Sequence, residues 1–141
     1  PAVFVQDNHA LSRCQRVLRG FHCQFTPHVQ AKLVRVTRGA VYDVILDLRK
    51  ESPTFGKWEG FLLSAANFLQ LYIPRGFAHA FCTLEEHTEF MYKVDAFYAP
   101  ECDGGIIWND PDLAVNWPVN DPILSAKDKE LPRFSAFKSP F

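Results

Sequence analysis

Hydrophobic and polar residues alternate in short runs along much of the chain, and Gly, Pro, Asn and Ser interrupt the runs. From Tyr42 to Arg49 the even positions are apolar, whereas Asp43, Asp47 and Arg49 share the other face. Alternation with a period of two is typical of a strand that buries one face. We therefore predict a half-buried strand here, followed by a turn at 51–56.

Further runs rich in β-branched and aromatic residues predict seven more strands, and no helical period is found among them. These strands are expected at 17–25, 32–38, 57–63, 68–73, 78–84, 88–94 and 105–108. About eight strands are enough to close a barrel or a jelly roll. Residues 125–130 predict one short helix, with Ser125 as N-cap, Asp128 completing a capping box and Pro132 beyond its end. The expected fold is all-β with a short C-terminal helix.

Length and composition indicate one packed globular domain over residues 1–141, with 48% hydrophobic residues and thirteen Phe. The net charge of −1, with both signs interspersed, argues against nucleic acid as a partner. A few converging Arg and Lys side chains can still bind an anionic small molecule. The four cysteines form no C-x-x-C pair, and no apolar run reaches the roughly 18 residues of a membrane span. We expect a cytoplasmic protein with reduced thiols and no membrane partner.

Lys32 is a candidate for an amine inside the barrel. It has the same strand parity as Val34 and Val36, so it points inward if those valines do. A buried lysine is rare without a partner. The alternative is that Lys32 lies at a strand end and its amine reaches water.

Three other side chains are candidates for proton transfer, and each has a structural alternative. His22 interrupts an apolar pattern and titrates near neutral pH, but many such histidines are simply hydrogen-bonded structural residues. Tyr92 shares a face with Phe90 and Val94, which is typical of a core tyrosine. Asp128 can serve only to cap the last helix.

Residues 74–79 match P-x-G-x-x-H, the second motif of cupin barrels, in which a turn leads into a strand with an inward His. Metal-binding cupins also need an H-x-H and a downstream Glu, whereas residues 22–24 read His-Cys-Gln. The sequence is therefore short of metal ligands, and it has no G-x-G-x-x-G. We expect no metal and no other cofactor.

Taken together, the motifs resemble the dTDP-4-dehydrorhamnose 3,5-epimerase family, whose members act in deoxysugar biosynthesis. The resemblance extends from Val5 to about Pro132. It rests on residues 6–9, 17–22, 32–35, 47–49, 52–56, 73–79 and 124–128. So many matches in the same order are far more specific than any one of them.

The resemblance implies a cupin-like jelly-roll barrel and an isomerase that inverts carbon 3, carbon 5 or both of a nucleotide-linked 4-keto-6-deoxy sugar through an enolate. By similarity, His22 is the catalytic base and Asp128 its orienting carboxylate. Lys32 stabilises the enolate oxygen, and Tyr92 donates a proton on the opposite face. The substrate-binding residues implied are Gln6, Asp7, Asn8, Arg19, Gln24, His79, Tyr98, Asp103 and Lys127.

The resemblance also implies a nucleoside-diphosphate sugar as substrate and a homodimer. Members usually have a further N-terminal segment of a few dozen residues, and we expect one to precede residue 1. Cys23 stands where an aromatic residue is common and Phe97 where a tyrosine is common, which leaves open the carbon inverted and the sugar accepted. A ketoisomerase on the same barrel, a non-catalytic sugar-nucleotide-binding cupin and a metal-dependent cupin oxygenase are the alternatives.

Overall fold

The computed structural model describes residues 1–141, whose regular secondary structure is almost entirely β-strand. The strands are β1 (Gln6–Ser12), β2 (Leu18–Gln24), β3 (Lys32–Arg38), β4 (Ala40–Asp47), β5 (Trp58–Ser64), β6 (Gln70–Ile73), β7 (Phe77–Thr83), β8 (Thr88–Val94) and β9 (Asp103–Gly105). The single α-helix, α1, covers Ala126–Lys129, and short 3-10 turns cover Pro100–Cys102 and Phe134–Ala136. None of these helices has the length and apolar character that a membrane crossing requires.

The strands form two antiparallel sheets. Sheet 1 has the order β1-β8-β3-β6, and sheet 2 has the order β5-β4-β7-β2-β9. Side chains from the two sheets meet in the space between them, as in a jelly roll. The predicted all-β, cupin-like fold class is confirmed.

Most predicted elements match the observed ones to within a few residues, and β3 and β8 have the predicted bounds. The strand predicted at 105–108 is displaced, because β9 covers Asp103–Gly105. Strand β1 was not predicted. It lies at the edge of sheet 1 and is mostly exposed, so its sequence carries little of the alternation that reveals a half-buried strand.

The prediction that β4 buries only one face is wrong, because both of its faces are covered. Val44 and Leu46 pack outward against the last part of the chain. Val41 points inward and packs with residues of β3 and β8. The covering residues on the outer side are Ile106, Leu113, Val115, Trp117, Phe134, Phe137 and Phe141. Asp43 and Asp47 are therefore buried rather than on an open polar face.

Asp47 is buried with its own set of partners and closes the turn that follows β4. Its carboxylate accepts hydrogen bonds from the backbone and guanidinium of Arg49, at 2.8–3.0 Å. The hydroxyls of Ser52 and Thr54 each donate to it at 2.6 Å. Burial alone would raise the pKa of Asp47, but these hydrogen bonds outweigh burial and the pKa is lowered. The carboxylate thus stays ionised while it holds the turn.

Candidate active site

A cavity of about 300 Å³ is lined by residues from both sheets, from the loop before β3, from the segment that follows β8 and from α1. Nine of the residues expected in the site line it, together with two others. The lining residues are Gln6, Asn8, His22, Cys23, Gln24, Gln30, Lys32, Tyr92, Tyr98, Asp103 and Lys127. Cys23 and Gln30 are the two that sequence reasoning did not assign to the site.

Strand parity brings Lys32 and Tyr92 to the same cavity. Val34 on β3 and Phe90 on β8 are buried between the sheets, and Lys32 and Tyr92 lie on the same faces of those strands. Lys32 is the first residue of β3, yet it lines the cavity rather than leaving it. Its amine lies 5.9 Å from the centre of the Tyr92 ring.

His22 is hydrogen-bonded to Asp128, although 106 residues separate them in sequence. His22 Nε2 lies 2.5 Å from Asp128 Oδ1, and the backbone N–H of Gly20 donates to Oδ2 at 3.1 Å. Ser125 caps α1 as predicted, because its hydroxyl accepts from the backbone N–H of Asp128. The capping box expected at Asp128 is not completed, since that carboxylate is directed to β2 instead.

The protonation of this pair follows from its surroundings. Burial would raise the pKa of Asp128, but the hydrogen bond from His22, the charge of that ring and the Gly20 N–H outweigh burial, and the pKa is lowered. An ionised carboxylate only accepts hydrogen bonds. We therefore assign the donor N–H to Nε2 of His22, so that Nδ1 is the ring nitrogen left to accept a proton.

A second imidazole–carboxylate pair lies deeper in the barrel. His79 Nε2 is 2.8 Å from Asp43 Oδ2, and the other oxygen of Asp43 has no hydrogen-bond partner. The His79 side chain is only 7% exposed, against 31% for His22. His79 was expected to contact substrate, but it does not line the cavity. Sequence reasoning missed Asp43, because alternation along β4 assigned it to an outer polar face.

Burial disfavours the charged forms of Asp43 and His79 and shifts their pKa values accordingly. It raises the pKa of Asp43 and lowers that of His79, and in each case the partner's charge and hydrogen bond oppose the shift. Burial also lowers the pKa of Lys32, although Cys23, Asp43 and nearby Asp103 act to raise it. The amine of Lys32 therefore titrates below an ordinary lysine.

Two neighbours of Lys32 in the cavity, Tyr92 and Cys23, are neutral near pH 7. Burial raises the pKa of the Tyr92 phenol, and this effect exceeds the opposing influence of Arg19. Burial likewise raises the pKa of the Cys23 thiol to about 12. Both side chains therefore keep their protons.

Two further expected residues lie outside the cavity lining. Arg19 is exposed, although its charge lowers the pKa values of Tyr92 and Asp128. Asp7 forms an ion pair with Lys93 at 2.8 Å and lines a separate groove. At the rim of the cavity, Lys127 and Asp103 form a close ion pair.

One group of side chains has the composition of a metal site, and it does not line the cavity. The potential ligand atoms of His28, Glu101 and Cys102 lie within 4.8 Å of one another. No residue of the cavity belongs to this group. The cavity thus combines an imidazole, an amine and a phenol, and the metal-like group lies elsewhere.

Comparison with known proteins identifies the family. The family model described as dTDP-4-dehydrorhamnose 3,5-epimerase matches residues 1–136. The chain belongs to the dTDP-4-dehydrorhamnose 3,5-epimerase family. A member from Shigella flexneri is 54% identical over 125 residues, which are 89% of this chain and 68% of that protein. The family predicted from the sequence motifs is confirmed.

Solved structures of the family share the fold along nearly the whole chain. The dTDP-4-dehydrorhamnose 3,5-epimerase from Bacillus anthracis, with TDP and pyrophosphate bound, is 55% identical with a TM-score of 0.92. That match covers 94% of this chain and 75% of the other. The epimerase from Legionella pneumophila in complex with dTDP-4-keto-L-rhamnose is 43% identical with a TM-score of 0.92, covering 97% and 72% of the two chains.

The contribution of Asp128 to stability is expected to depend on pH. Asp128→Asn should lower the free energy of unfolding by about 1–3 kcal/mol at pH 7, because Gly20 and His22 lose a charged acceptor. The pKa of Asp128 is lowered in the folded state. Its stabilisation is therefore present above the unfolded value of about 3.9 and is lost as pH falls through the folded value.

Urea unfolding of wild type and Asp128→Asn between pH 7 and pH 2 measures the difference in their free energies of unfolding. Asp7→Asn is the control, because Asp7 is exposed and its ion pair with Lys93 should contribute less than about 1 kcal/mol. A loss of stability in Asp128→Asn that stayed constant over the whole pH range would contradict the expected linkage.

Proposed function

We propose that the protein is an epimerase that inverts carbon 3 and carbon 5 of a dTDP-linked 4-keto-6-deoxy sugar through an enolate. The observation that carries this proposal is the meeting of His22, Lys32 and Tyr92 at one cavity, with His22 and Tyr92 on different sheets. Two relatives at 54–55% identity are named dTDP-4-dehydrorhamnose 3,5-epimerase and one at 43% is named dTDP-6-deoxy-D-glucose-3,5-epimerase, which supports the substrate class and the two carbons.

The difficulty of the reaction is the removal of a proton from carbon. A proton next to a ketone is weakly acidic, and a histidine base has a pKa of about 6.5. The gap of on the order of ten pKa units corresponds to roughly 14 kcal/mol. A positioned base cannot close this gap alone, so the enolate oxygen needs strong stabilisation.

His22 and Lys32 divide this task in the proposed mechanism. His22 removes the proton next to the ketone, and the ionised carboxylate of Asp128 stabilises the imidazolium that forms. The ammonium of Lys32 faces the developing oxyanion in a partly enclosed cavity, where a fixed charge acts more strongly than in water. The charge of Asp43 behind it acts to raise the pKa of Lys32, which favours the ammonium.

Tyr92 supplies the proton that completes inversion. It reaches the cavity from β8 in sheet 1, whereas His22 reaches it from β2 in sheet 2. Inversion needs proton removal and proton delivery on opposite faces of the sugar ring, which two groups on different sheets are suited to provide. The raised pKa of the phenol keeps its proton available for transfer.

The rim of the cavity is proposed to bind the nucleotide. Arg19 and Lys127 are proposed to bind the diphosphate, because cations of this kind form strong charge-assisted hydrogen bonds with phosphate. Gln6, Asn8 and Tyr98 line the same part of the cavity. Asp103, which pairs with Lys127, sets the position of that ammonium.

We further propose that residues 1–141 act as one domain in the cytoplasm. The two buried clusters meet at the strands of sheet 2, which supports a single folding unit. The four cysteines are free, one of them on the surface, which supports a reducing compartment.

The proposed roles of His22 as base and Tyr92 as acid are tested by deuterium exchange. In heavy water with dTDP-4-keto-6-deoxyglucose, wild type should exchange and invert carbons 3 and 5, as read by proton NMR. His22→Ala should slow exchange by at least about a hundredfold, because a general base contributes at least that much. Tyr92→Phe should retain exchange but impair inversion, since only the far-side donor is lost.

Three outcomes would contradict the proposal. Full exchange by His22→Ala would refute the assignment of the base. Movement of the ketone to carbon 3 would indicate a ketoisomerase. Binding without any exchange in wild type would indicate a non-catalytic binding protein.

The role of Lys32 predicts a loss of activity at high pH. Because the pKa of Lys32 is lowered, the ammonium is present below that value and kcat should fall as pH rises through it, before an ordinary lysine would titrate. Lys32→Met should lower kcat by about 10²–10³. Lys32→Arg should retain some activity and lose this alkaline fall, because arginine does not titrate in the range. An unchanged alkaline fall in Lys32→Arg would assign it to another group.

We also propose that the protein is a homodimer. Phe68 is 88% exposed at the turn between β5 and β6, its chain neighbour Leu69 is exposed, and Leu62 on the edge strand β5 is exposed as well. Exposed apolar residues that cluster in this way are typical of protein interfaces. Light scattering should give twice the mass of the chain, and Phe68→Asp should shift the protein toward the monomer. A monomeric wild type at micromolar concentration would contradict this proposal.

A further inference from the structure

The segment 96–99, which follows β8, belongs to neither a helix nor a strand. Backbone N–H and C=O groups in such a segment need other hydrogen-bond partners. Glutamine side chains supply one bond to each of the four residues. The bonds are Gln30 Nε2 to Ala96 O at 2.9 Å, Gln24 Nε2 to Phe97 O at 3.2 Å, Tyr98 N to Gln6 Oε1 at 3.1 Å and Ala99 N to Gln24 Oε1 at 2.9 Å.

We call Gln6, Gln24 and Gln30 the glutamine cradle. They come from β1, from the end of β2 and from the loop before β3, so three separate parts of the chain converge on segment 96–99. All three also line the cavity. The cradle is therefore part of the cavity wall and the support of the segment beside it.

Gln24 is the central member of the cradle. It is only 4% exposed. Its amide nitrogen donates to the backbone oxygens of Phe97 and His28, and its amide oxygen accepts from Ala99. Both donor hydrogens are thus occupied within the protein. This arrangement leaves Gln24 poorly suited to donate to a substrate, although the resemblance to the family implied that Gln24 contacts the substrate.

Segment 96–99 carries two aromatic side chains that the cradle leaves free. Phe97 and Tyr98 are both exposed, and Tyr98 lines the cavity. The cradle bonds only to the backbone of the segment. The cradle can therefore fix the backbone position of Tyr98 while both faces of its ring stay free to contact a ligand.

We propose that Gln6, Gln24 and Gln30 are positioning residues, which hold Tyr98 at the cavity before substrate binds. The proposal rests on the proposed function, because Tyr98 matters to the reaction only if sugar nucleotide enters this cavity. A wall that is ordered in advance reduces the entropy lost on binding. Loss of the cradle should weaken binding more than it slows the chemical steps.

The first test uses the ligand-free protein and amide hydrogen exchange by NMR. Gln24→Leu should reduce protection of the Ala99 amide by at least about fivefold, because its buried acceptor is removed. Protection of Val44 in the central strand β4 should not change. Gln15→Leu is the matched control, because Gln15 is exposed and lies outside the cradle.

A second variant covers the case in which Gln24→Leu does not fold. Gln6 is only partly buried on the edge strand β1, so Gln6→Leu should fold and should lower protection of the Tyr98 amide. Unchanged protection of Ala99 in folded Gln24→Leu, or of Tyr98 in Gln6→Leu, would overturn the proposal. This result does not depend on activity, so it separates failure of the cradle from failure of the proposed function.

The second test is a double-mutant cycle between Gln24 and Tyr98. Gln24→Leu and Tyr98→Ala should each raise KM several-fold with little change in kcat. If Gln24 acts through Tyr98, adding Gln24→Leu to Tyr98→Ala should raise KM by less than twofold more. Additive effects on KM would show that Gln24 acts independently of Tyr98 and would overturn the positioning role.

Discussion

The outward-facing core of sheet 2 is the constraint on which the site depends. Val44, Leu46, Phe21, Ala78 and Ala80 pack against the C-terminal part of the chain instead of filling the space between the sheets. The opposite faces of the same strands are thereby free to carry polar side chains into the barrel. Without this outer layer, β2, β4 and β7 would have to bury their apolar residues inside, where the two imidazole–carboxylate pairs now lie.

An imidazole–carboxylate pair occurs at two depths in this barrel. His22 with Asp128 opens on the cavity, whereas His79 with Asp43 is closed off behind it. Burial opposes charge more strongly at the inner pair, so the pKa of Asp43 is raised while that of Asp128 is lowered. The two pairs therefore differ in environment and not in residue type. His22 with Asp128 is suited to exchange protons with a ligand, whereas His79 with Asp43 lies behind Lys32.

Much of the fold and part of the site could be predicted from local pattern. Parity with Val34 and Phe90 placed Lys32 and Tyr92 correctly, because a period of two holds for any regular strand. Asp43 was misplaced, since the apolar face of β4 packs outward against residues 106–141, far along the chain, and this turns Asp43 toward the barrel interior. The cradle could not be predicted either, because its glutamines and the backbone they hold are brought together only by the closed barrel.

The bond between His22 and Asp128 also has a consequence for how the protein is made. His22 is added to the growing chain early, whereas Asp128 is added 106 residues later. While the ribosome is still translating the intervening chain, the ring has no group to orient it. The proposed proton transfer can therefore begin only after residue 128 has left the exit tunnel, so stalled nascent chains that end before it should be inert.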